Sequence, residues 1–425
     1  MLWGGLRAFV GLRRRCEPLC ADAEGTGLLG ALGDVGRGIQ PVSAHFGSPA
    51  QHIYVHVPFC GRRCSYCDFS IAVRKTVPWR TFNTAIMAEV AIRELALDPA
   101  ALRSLYLGGG TPSKLGGEGL SELLGAFSHL LGVDELSTLR EDLEVTIEVN
   151  PEDVSPRSVD QWVRAGVNRA SLGVQSFDPA VLKWMHREHG AEDSLRAAKC
   201  LREGGIENLS VDLIFALPSL LKRDWTRDLD LALGLEPAHL SLYGLTVEPR
   251  TPLGRWSARG EVNEATEERF ELEFLEADRR LVAAGFEHYE VSNYGLAGRR
   301  SVHNSCYWSG APYLGLGPAA HGFDGSTRRW NISAYAAWSG AVSAGRDPLE
   351  GSESIGEQER TAESVYLGLR TTDGLSIRQN EQERVTSWVG QGWATLHADV
   401  VRLTPIGWLR LDALAAALTL ARSRS

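Results

Sequence analysis

The chain has 425 residues, of which 44% are hydrophobic, and a formal net charge of −9 at pH 7. This length and composition are typical of a globular protein with one large and one smaller domain. The acidic charge argues against a nucleic-acid partner, since nucleic-acid binders are normally basic. No apolar run approaches the roughly 18 residues that a transmembrane helix needs, so we expect no transmembrane segment.

The amino-terminal segment has little periodicity. It is rich in glycine and alanine, and we predict that residues 1–50 form a poorly ordered extension. Its first stretch, MLWGGLRAFVGLRRRC, has four arginines and no acidic residue. A mitochondrial transit peptide has this bias, although serine is scarce here. The seven cysteines of the chain are odd in number and thinly spread, which fits no disulfide framework. We therefore expect a cytoplasmic protein, with a mitochondrial location as the alternative.

Strand-like and helical patterns alternate over residues 51–285. The dipeptides Ser155-Pro156 and Asp178-Pro179 are typical of helix starts, with a capping side chain followed by proline. The strand-like runs are, in chain order, IYVHVPF, SLYLGGG, EVTIEVNP, ASLGVQSF, VDLIFALP and LSLYGLTV. Six strands, each followed by a helix, predict an α/β domain with a parallel sheet. This pattern alone does not separate an open barrel from a doubly wound sheet.

The last third of the chain has a different pattern. Residues 286–350 are rich in glycine, aromatic residues and histidine without a clear period, and we expect them to pack on the sheet domain. A polar stretch, GSESIGEQER, then leads into residues 351–425. The helical pattern of this last segment predicts a small, mostly helical carboxyl-terminal domain.

Residues suited to binding follow the predicted strands. In a parallel sheet, ligands gather at the carboxyl ends of the strands, whether the sheet is a barrel or is doubly wound. The residues at these positions are Cys60, Gly108 to Thr111, Glu148, Gln175 and Asp212. We therefore expect the functional site at this edge of the sheet.

Three cysteines, Cys60, Cys64 and Cys67, form a C-x3-C-x2-C pattern after the first strand. Structural zinc prefers four ligands, so a zinc site would have to recruit His56, Asp68 or a more distant group. A cubane iron–sulfur cluster normally takes four thiolates, and three thiolates leave one iron open to an exchangeable ligand. This spacing therefore favours a 4Fe-4S cluster with one open iron.

This cysteine pattern resembles that of the radical S-adenosylmethionine (SAM) superfamily. The resemblance implies that the three cysteines hold a 4Fe-4S cluster and that SAM chelates the fourth iron. In that superfamily the cluster passes one electron to SAM and generates a 5′-deoxyadenosyl radical, so an electron donor such as a flavodoxin or ferredoxin is implied. The implied fold is a partial (β/α)6 barrel with parallel strands, followed by a smaller, winged-helix-like domain.

Further positions resemble the oxygen-independent coproporphyrinogen III oxidase-like family within this superfamily. Residues that match SAM-contacting positions of that family are Tyr54, Gly109, Gly110, Thr111, Glu148, Gln175, Arg187 and Asp212. A carboxylate suits the ribose hydroxyls or the ammonium of SAM, and an arginine suits its carboxylate. The glycines would let backbone amides approach the ligand. The alternative is that each polar residue caps a strand end and that the glycines form a simple turn.

Two features separate the branches of this family. The oxidases carry a further cysteine two places after the third cluster ligand, where this chain has Phe69 after Asp68. The stretch HNSCYW, residues 303–308, matches the H-N-x-x-Y-W motif of the HemW-type haem chaperones. In this resemblance the haem-binding residues are His303, Asn304, Tyr307 and Trp308. A neutral imidazole can ligate haem iron and the aromatic rings offer flat faces to the porphyrin.

Other interpretations of this motif stay open. Cys306, at a variable position, offers a thiolate as another iron ligand. His303 and Asn304 could instead cap a loop, with the aromatic rings in the core. Our main hypothesis is a haem chaperone that carries a SAM-coordinated cluster and transfers haem to an unknown acceptor protein. The alternative is an oxygen-independent oxidase that decarboxylates the propionates of coproporphyrinogen III. No catalytic residue is assigned, and the sequence leaves open whether the protein is an enzyme.

Overall fold

A computed structural model describes residues 50–95, 97–139 and 142–423. The extension that we predicted to be poorly ordered, residues 1–50, lies outside the described residues except for Ala50. Among the described residues, no helix is both long and apolar enough to cross a membrane.

The strands and helices follow one another from the first described residues to the last. In chain order the strands are β1 (His52–Val57), β2 (Phe59–Cys60), β3 (Ala72–Val73), β4 (Ser104–Gly109), β5 (Glu144–Val149), β6 (Arg169–Gln175), β7 (Asn208–Phe215), β8 (His239–Gly244), β9 (Glu287–Glu290), β10 (Asn293–Gly295), β11 (Leu314–Leu316), β12 (His321–Phe323), β13 (Thr327–Asn331), β14 (Leu349–Ser354), β15 (Leu375–Ser376), β16 (Ala394–His397) and β17 (Val400–Leu403). The α-helices are Trp79–Ile92, Gly116–Leu130, Pro156–Arg164, Pro179–Trp184, Ala191–Glu203, Trp225–Gly234, Pro252–Ala258, Glu267–Ala283, Val302–Trp308, Tyr335–Ser343, Glu357–Arg370, Gln382–Gly390, Pro405–Trp408 and Leu411–Ser423.

The main sheet contains the six parallel strands that the sequence predicts. Strands β1, β4, β5, β6, β7 and β8 are neighbours in this order and all pair in parallel. A doubly wound sheet reverses its strand order in the middle, whereas the order here follows the chain throughout. The sheet is therefore not doubly wound, its order fits the expected partial barrel with β11 and β9 at its edges, and the predicted α/β fold class is confirmed.

Local sequence signals fix the helix starts between these strands. The Ser155 hydroxyl accepts a hydrogen bond from the Ser158 amide at the start of the helix Pro156–Arg164. The Asp178 carboxylate accepts from the amides of Ala180 and Val181 in the same way. Each cap satisfies amides that have no partner within the helix, so both predicted helix starts are confirmed.

The two faces of the main sheet differ in chemistry. One set of alternate residues is apolar and fully buried, for example Ile53 and Val55 of β1 and Ile147 of β5. The other set, which we call the inner face, is polar and also largely buried. Its members are His52, Tyr54, His56, Ser104, Tyr106, Glu144, Thr146, Glu148, Arg169, Ser171, Ser210, Asp212, His239, Ser241 and Tyr243. Because buried polar groups are costly unless they are paired, this face has to be a hydrogen-bonded network.

The region 286–350 adds strands to both edges of the main sheet. β11 pairs in parallel with β1, with Leu314 opposite Ile53. At the other edge β10 pairs antiparallel with β8, and β9 pairs with β10. The strands of this region are short and its sequence has no period, so the pattern did not reveal them. The boundaries that we predicted for this region, residues 286 and 350, stay a prediction.

The segment 351–425 contains four of the helices and a small antiparallel sheet of order β15-β17-β16. Trp408 donates from its indole nitrogen to the Leu369 carbonyl, which fixes one helix of this segment on another. The division into a separate winged-helix-like domain remains a prediction.

Candidate functional site

The cysteine pattern lies on a loop whose two ends are held together. β1 ends at Val57, and β2 then pairs in parallel with β3, so that Cys60 lies opposite Val73. Within the loop the Cys67 amide donates to the Cys64 carbonyl at 3.4 Å. All three cysteines are free thiols; Cys60 is buried and the other two are half-buried. The loop therefore presents three thiols at the carboxyl end of the first barrel strand, as predicted from the sequence.

Two of the three sulfurs accept a hydrogen bond from a side chain. The Thr111 hydroxyl donates to Cys60 Sγ at 3.4 Å, and the Arg187 guanidinium donates to Cys64 Sγ at 3.7 Å. Donors of this kind stabilise thiolates, which are the form that binds iron. The donor set therefore fits a three-thiolate cluster site.

Burial favours the protonated form of two of these thiols, Cys60 and Cys67. It raises the pKa of Cys60 to about 11 and that of Cys67 to about 12. A bound metal reverses this preference, because ligation requires the thiolate and releases the proton. The iron of the cluster would add positive charge to that of Arg63 and Arg187, which already lower the pKa of Cys60.

The nearest candidates for the fourth ligand of a zinc site are His56, which is held by hydrogen bonds, and Asp68. His56 Nε2 bonds to the Ser70 carbonyl at 3.0 Å, and His56 Nδ1 lies 3.1 Å from the Tyr54 hydroxyl. Asp68 is exposed. Both histidine nitrogens are therefore engaged, and this geometry favours the cluster over zinc.

Arg187 and Gln175 approach the cysteine loop from the barrel. Arg187 Nη2 donates to Asn150 Oδ1 at 2.7 Å and to the Gly173 carbonyl at 2.8 Å. Gln175 lies at a bulge in the pairing of β6 with β7 and has a φ of +68°. Its Oε1 is buried and has no hydrogen-bond partner among the described residues. An unpaired buried acceptor fits a ligand such as SAM, which would bring donors to this place.

Two buried carboxyl groups lie on the inner face. Glu148 accepts from the Tyr106 hydroxyl at 2.9 Å and from the Gly109 amide at 3.0 Å. Burial raises the pKa of Glu148 to about 7, and the negative charge of Asp212 adds to this effect. The pKa of Asp212 is also raised by burial, although the Ser171 hydroxyl donates to it at about 3 Å. Such perturbed carboxyl groups beside a cleft are typical of functional sites.

The glycines of GGGTP are required by the packing of β4 against β1. Gly109 has a φ of +112°, and a Cβ there would lie 2.6 Å from the His56 ring. A Cβ at Gly110 would lie 2.7 Å from the Pro58 carbonyl carbon. The Gly110 amide donates to the Val57 carbonyl at 2.8 Å. The expected approach of these amides to SAM stays a prediction, because both already bond within the protein.

The histidine motif lies at the opposite end of the barrel. Glu144, at the start of β5, accepts from the amides of Val302 and His303 at 2.9 Å each. A carboxylate at this place stabilises the start of the helix Val302–Trp308. The strand starts and the cysteine loop lie at opposite ends of parallel strands. The structure therefore brings the cysteines and most SAM positions together and places the histidine motif apart from the cysteines. One SAM position, Tyr54, does meet the motif, because its ring stacks on that of His303 at a centroid distance of 6.2 Å.

His303 is buried to 1% exposure, and both of its ring nitrogens are engaged. Nδ1 lies 2.7 Å from the Ser104 hydroxyl and Nε2 lies 2.9 Å from the Tyr307 hydroxyl. The ring stacks on Tyr106 with a centroid distance of 4.9 Å. Burial holds the pKa of His303 well below its usual value. The imidazole is therefore neutral, as haem ligation requires, but it faces the protein interior.

The other motif residues are also packed inside. Trp308 is 8% exposed, and the Arg370 guanidinium covers its ring at 4.1 Å. Asn304 is buried, and its amide donates to the Ser301 hydroxyl that caps the helix. The half-buried Tyr307 packs edge-on against Tyr313. In this conformation the motif agrees with the alternative in which its aromatic rings belong to the core.

Sequence reasoning missed the inner-face partners of these groups. The missed residues that contact predicted site residues are Ser104, Tyr106, Glu144 and Ser171 of the inner face and Asn150 after β5. His56 was considered only as a zinc ligand. The signal was present, because EVTIEV alternates polar and apolar residues over its whole length and SLYLGG does so over its first four residues. A parallel strand buried on both faces normally reads as a continuous apolar run. The alternation therefore indicated a polar barrel interior.

Comparison with known proteins supports these observations. Residues 54–232 match the radical SAM superfamily, which implies SAM and a 4Fe-4S cluster as cofactors. A Mycobacterium tuberculosis protein named heme chaperone HemW is 36% identical over 371 residues, 85% of this chain and 93% of the relative. The Bacillus subtilis heme chaperone HemW is 33% identical over 328 residues, 77% of this chain and 85% of the relative.

A Mus musculus relative is named radical S-adenosyl methionine domain-containing protein 1, mitochondrial. It is 33% identical over 362 residues, which cover 82% of this chain and 80% of the relative. The solved structure of coproporphyrinogen III oxidase (HemN) from Escherichia coli, described as a radical SAM enzyme, is similar with a TM-score of 0.72. It covers 89% of this chain and 92% of that chain at 19% identity, which shows the fold alone. Because identities above 30% extend over most of each relative's length, the chain belongs to the HemW family of the radical SAM superfamily.

Proposed function

We propose that this protein is a haem chaperone that binds haem, carries a SAM-coordinated 4Fe-4S cluster and transfers haem to an acceptor protein. The observation that carries the proposal is 36% identity to a heme chaperone HemW over 85% of this chain. The HNSCYW motif lies within the same chain at residues 303–308. The acceptor protein is unknown.

Cys60, Cys64 and Cys67 would hold the cluster, which when bound supplies one-electron chemistry and an open iron for SAM. Thr111 and Arg187 donate to two of the sulfurs and so stabilise their thiolate forms. Tyr54, Gly109, Gly110, Glu148, Gln175 and Asp212 complete the SAM site that we propose. Both carboxyl groups in this set are buried, so a cationic ligand beside them would favour their charged forms.

Haem binding at the motif would require the helix Val302–Trp308 to move. The structure supports this requirement because His303 has both nitrogens hydrogen-bonded and Trp308 is covered by Arg370. Ser301 and Glu144 hold the amino end of this seven-residue helix, and four of its residues are buried. Opening the helix would expose these side chains and break the hydrogen bonds of His303, so haem binding has to offset that cost. We propose that haem captures the open form through His303, Asn304, Tyr307 and Trp308.

The alternative function is oxygen-independent coproporphyrinogen III oxidation. The fold alone allows it, since a coproporphyrinogen III oxidase is similar over 89% of this chain. The oxidases carry a further cysteine at the position that Phe69 occupies in this chain. A phenylalanine offers no thiol there, which favours the chaperone.

The decisive experiment combines haem binding with an oxidase assay on anaerobically reconstituted protein. Haem should give a Soret band that His303→Gln weakens and that His129→Gln, a change at an exposed histidine, leaves unchanged. Glutamine retains hydrogen-bonding groups but has no imidazole, so the weakening would report ligation. With SAM and a reductant, no turnover of coproporphyrinogen III is expected. Turnover would establish the oxidase instead, and a Soret band unaffected by His303→Gln would move the haem ligand elsewhere.

We propose the cytoplasm as the compartment, supported by bacterial relatives such as the Bacillus subtilis protein. A mitochondrial location is the alternative, because the Mus musculus relative is named mitochondrial. A flavodoxin or ferredoxin would serve as electron donor, and no nucleic-acid partner is proposed.

A further inference from the structure

Three side chains of types that ligate metals converge at the end of the sheet where the parallel strands start, away from the cysteine loop. They are His52 of β1 and His303 and Cys306 of the helix Val302–Trp308, and all three are buried. One nitrogen of each imidazole and the Cys306 sulfur lie within 4.8 Å of one another. We propose that His52, His303 and Cys306 bind a single zinc ion.

The local structure explains why these three residues meet. His303 and Cys306 are three residues apart on a helix, so they lie on the same helix face. His52 is the first residue of β1 and faces the barrel interior, where its ring contacts that of His303 edge-on at 6.2 Å. The Glu144 carboxylate holds the start of the helix against this end of the barrel. The helix therefore brings both of its ligands to the strand that carries the third.

The two imidazoles already point at one position. His52 Nδ1 lies 2.9 Å and His303 Nδ1 lies 2.7 Å from the same Ser104 hydroxyl. A hydroxyl carries one hydrogen, so it can donate to only one of these nitrogens and has to accept from the other. An ion at this place would accept a lone pair from both nitrogens, and Ser104 or a water molecule would complete the coordination.

The donor set favours zinc among divalent ions. Two imidazoles and one thiolate are zinc ligands with nitrogen and sulfur at about 2.1 and 2.3 Å from the ion. Ligand atoms in a tetrahedral site are roughly 3.5 Å apart, so these side chains need to close in by roughly 1 Å. Zinc with one thiolate keeps one positive charge. The buried Glu144 carboxylate lies beside the group, although Arg169, 3.8 Å from Glu144, shares that carboxylate.

A zinc ion at this place would affect haem binding, although the zinc proposal does not depend on the proposed haem function. It would tie the helix Val302–Trp308 to β1, and it would use the same imidazole that haem needs. Zinc with the helix seated and haem with the helix open would therefore exclude each other at His303. The haem and oxidase assays do not test the zinc site, and its failure would leave the chaperone proposal standing.

Zinc-edge X-ray absorption tests the proposal without interference from cluster iron. Full-length protein is reconstituted with iron and sulfide, incubated with zinc chloride and freed of excess zinc. The expected result is one zinc per chain with one sulfur and two imidazoles as protein ligands. No retained zinc would overturn the proposal. Zinc with three sulfurs would do the same, since that shell belongs to the Cys60, Cys64 and Cys67 loop.

Variants then identify the ligands. Cys306→Ser and His52→Gln should each weaken zinc binding at least tenfold in competition with a chelator. Cys200→Ser, at a half-buried cysteine on the helix Ala191–Glu203, should leave zinc binding unchanged. An unchanged spectrum and affinity in Cys306→Ser would contradict the assignment. If a variant does not fold, the absorption spectrum of the unmodified protein still decides the question.

Discussion

Nδ1 of His303 lies 2.7 Å from the hydroxyl of Ser104, and this contact joins the motif helix to the first residue of a central barrel strand. The same imidazole stacks on Tyr106 and bonds through Nε2 to Tyr307. A histidine in this setting contributes to the packing of the barrel end whether or not it also binds haem. The motif therefore has a structural role that its sequence alone did not reveal.

His303→Ala should destabilise the protein measurably. The substitution removes two buried hydrogen bonds and leaves a cavity beside Tyr106, so we expect a loss of about 2–4 kcal/mol in the free energy of unfolding. Urea unfolding of the protein without haem measures this loss. His129→Ala, at an exposed position, should change stability by less than about 0.5 kcal/mol. Equal stability of the two variants would contradict a packing role for His303.

Thr111→Val should shift the reduction potential of the reconstituted cluster to a more negative value. Valine has a similar shape but cannot donate to Cys60 Sγ, and a hydrogen bond to a cluster sulfur favours the reduced state. A bond of about 1 kcal/mol corresponds to roughly 40 mV for one electron. Redox titration followed by electron paramagnetic resonance measures the potential. Thr76→Val, on an exposed turn, serves as the control, and an equal potential in both variants would contradict the assigned role.

Glu148 should make the protein less stable as the pH rises toward neutrality. Its pKa is about 7 in the folded protein against an ordinary value of 4.5 for a glutamate side chain. Between pH 4.5 and pH 7 the folded protein holds a proton on Glu148 that the unfolded chain has lost. The stabilisation of the folded state that Glu148 contributes is therefore fully present below pH 4.5 and is lost by about pH 7. The loss amounts to about 3 kcal/mol.

Glu148→Gln removes this titration while keeping a neutral side chain of similar size. The variant and the unmodified protein should have similar stability near pH 5, and the variant should be the more stable protein at pH 8. Urea unfolding over this pH range measures the difference. Parallel stability curves for the two proteins would show that Glu148 does not titrate in this window.

Arg187→Lys should weaken SAM binding by about tenfold, or about 1.4 kcal/mol. The guanidinium holds Asn150, the Gly173 carbonyl and Cys64 Sγ at once, and a lysine ammonium cannot reproduce this fork. Equilibrium dialysis of SAM against the reconstituted protein measures the affinity. Arg196→Lys, at an exposed arginine paired with Asp193, should bind SAM normally. Normal binding by Arg187→Lys would remove Arg187 from the SAM site.

Sequence patterns predicted the barrel strands and the cysteine loop because both depend on local order. The run IYVHVPFC fixes β1, the break at Pro58 and the position of Cys60 within a few residues. β11 was missed because three residues, Leu314–Leu316, are too few to show a period. Its place beside β1 depends on contacts with a strand that lies more than 250 residues earlier in the chain.

The place of the histidine motif could not be predicted for a different reason. The sequence HNSCYW is compatible both with a ligand-binding motif and with a packed helical turn. Only the tertiary contacts of His303 with Ser104 and Tyr106 determine its surroundings. The approach of His52 to Cys306 likewise joins residues about 250 positions apart. Local patterns identify residues of suitable chemistry, whereas the fold determines which of them share a site.

The electron paramagnetic resonance spectrum of the reduced, anaerobically reconstituted protein, recorded with and without SAM, tests the central claim most directly. We predict about four irons per chain and a cluster signal that changes when SAM is added, and both should be lost in Cys64→Ala but kept in Cys200→Ser. A cluster signal that SAM leaves unchanged, or a full cluster in Cys64→Ala, would contradict a three-cysteine cluster with an iron open to SAM.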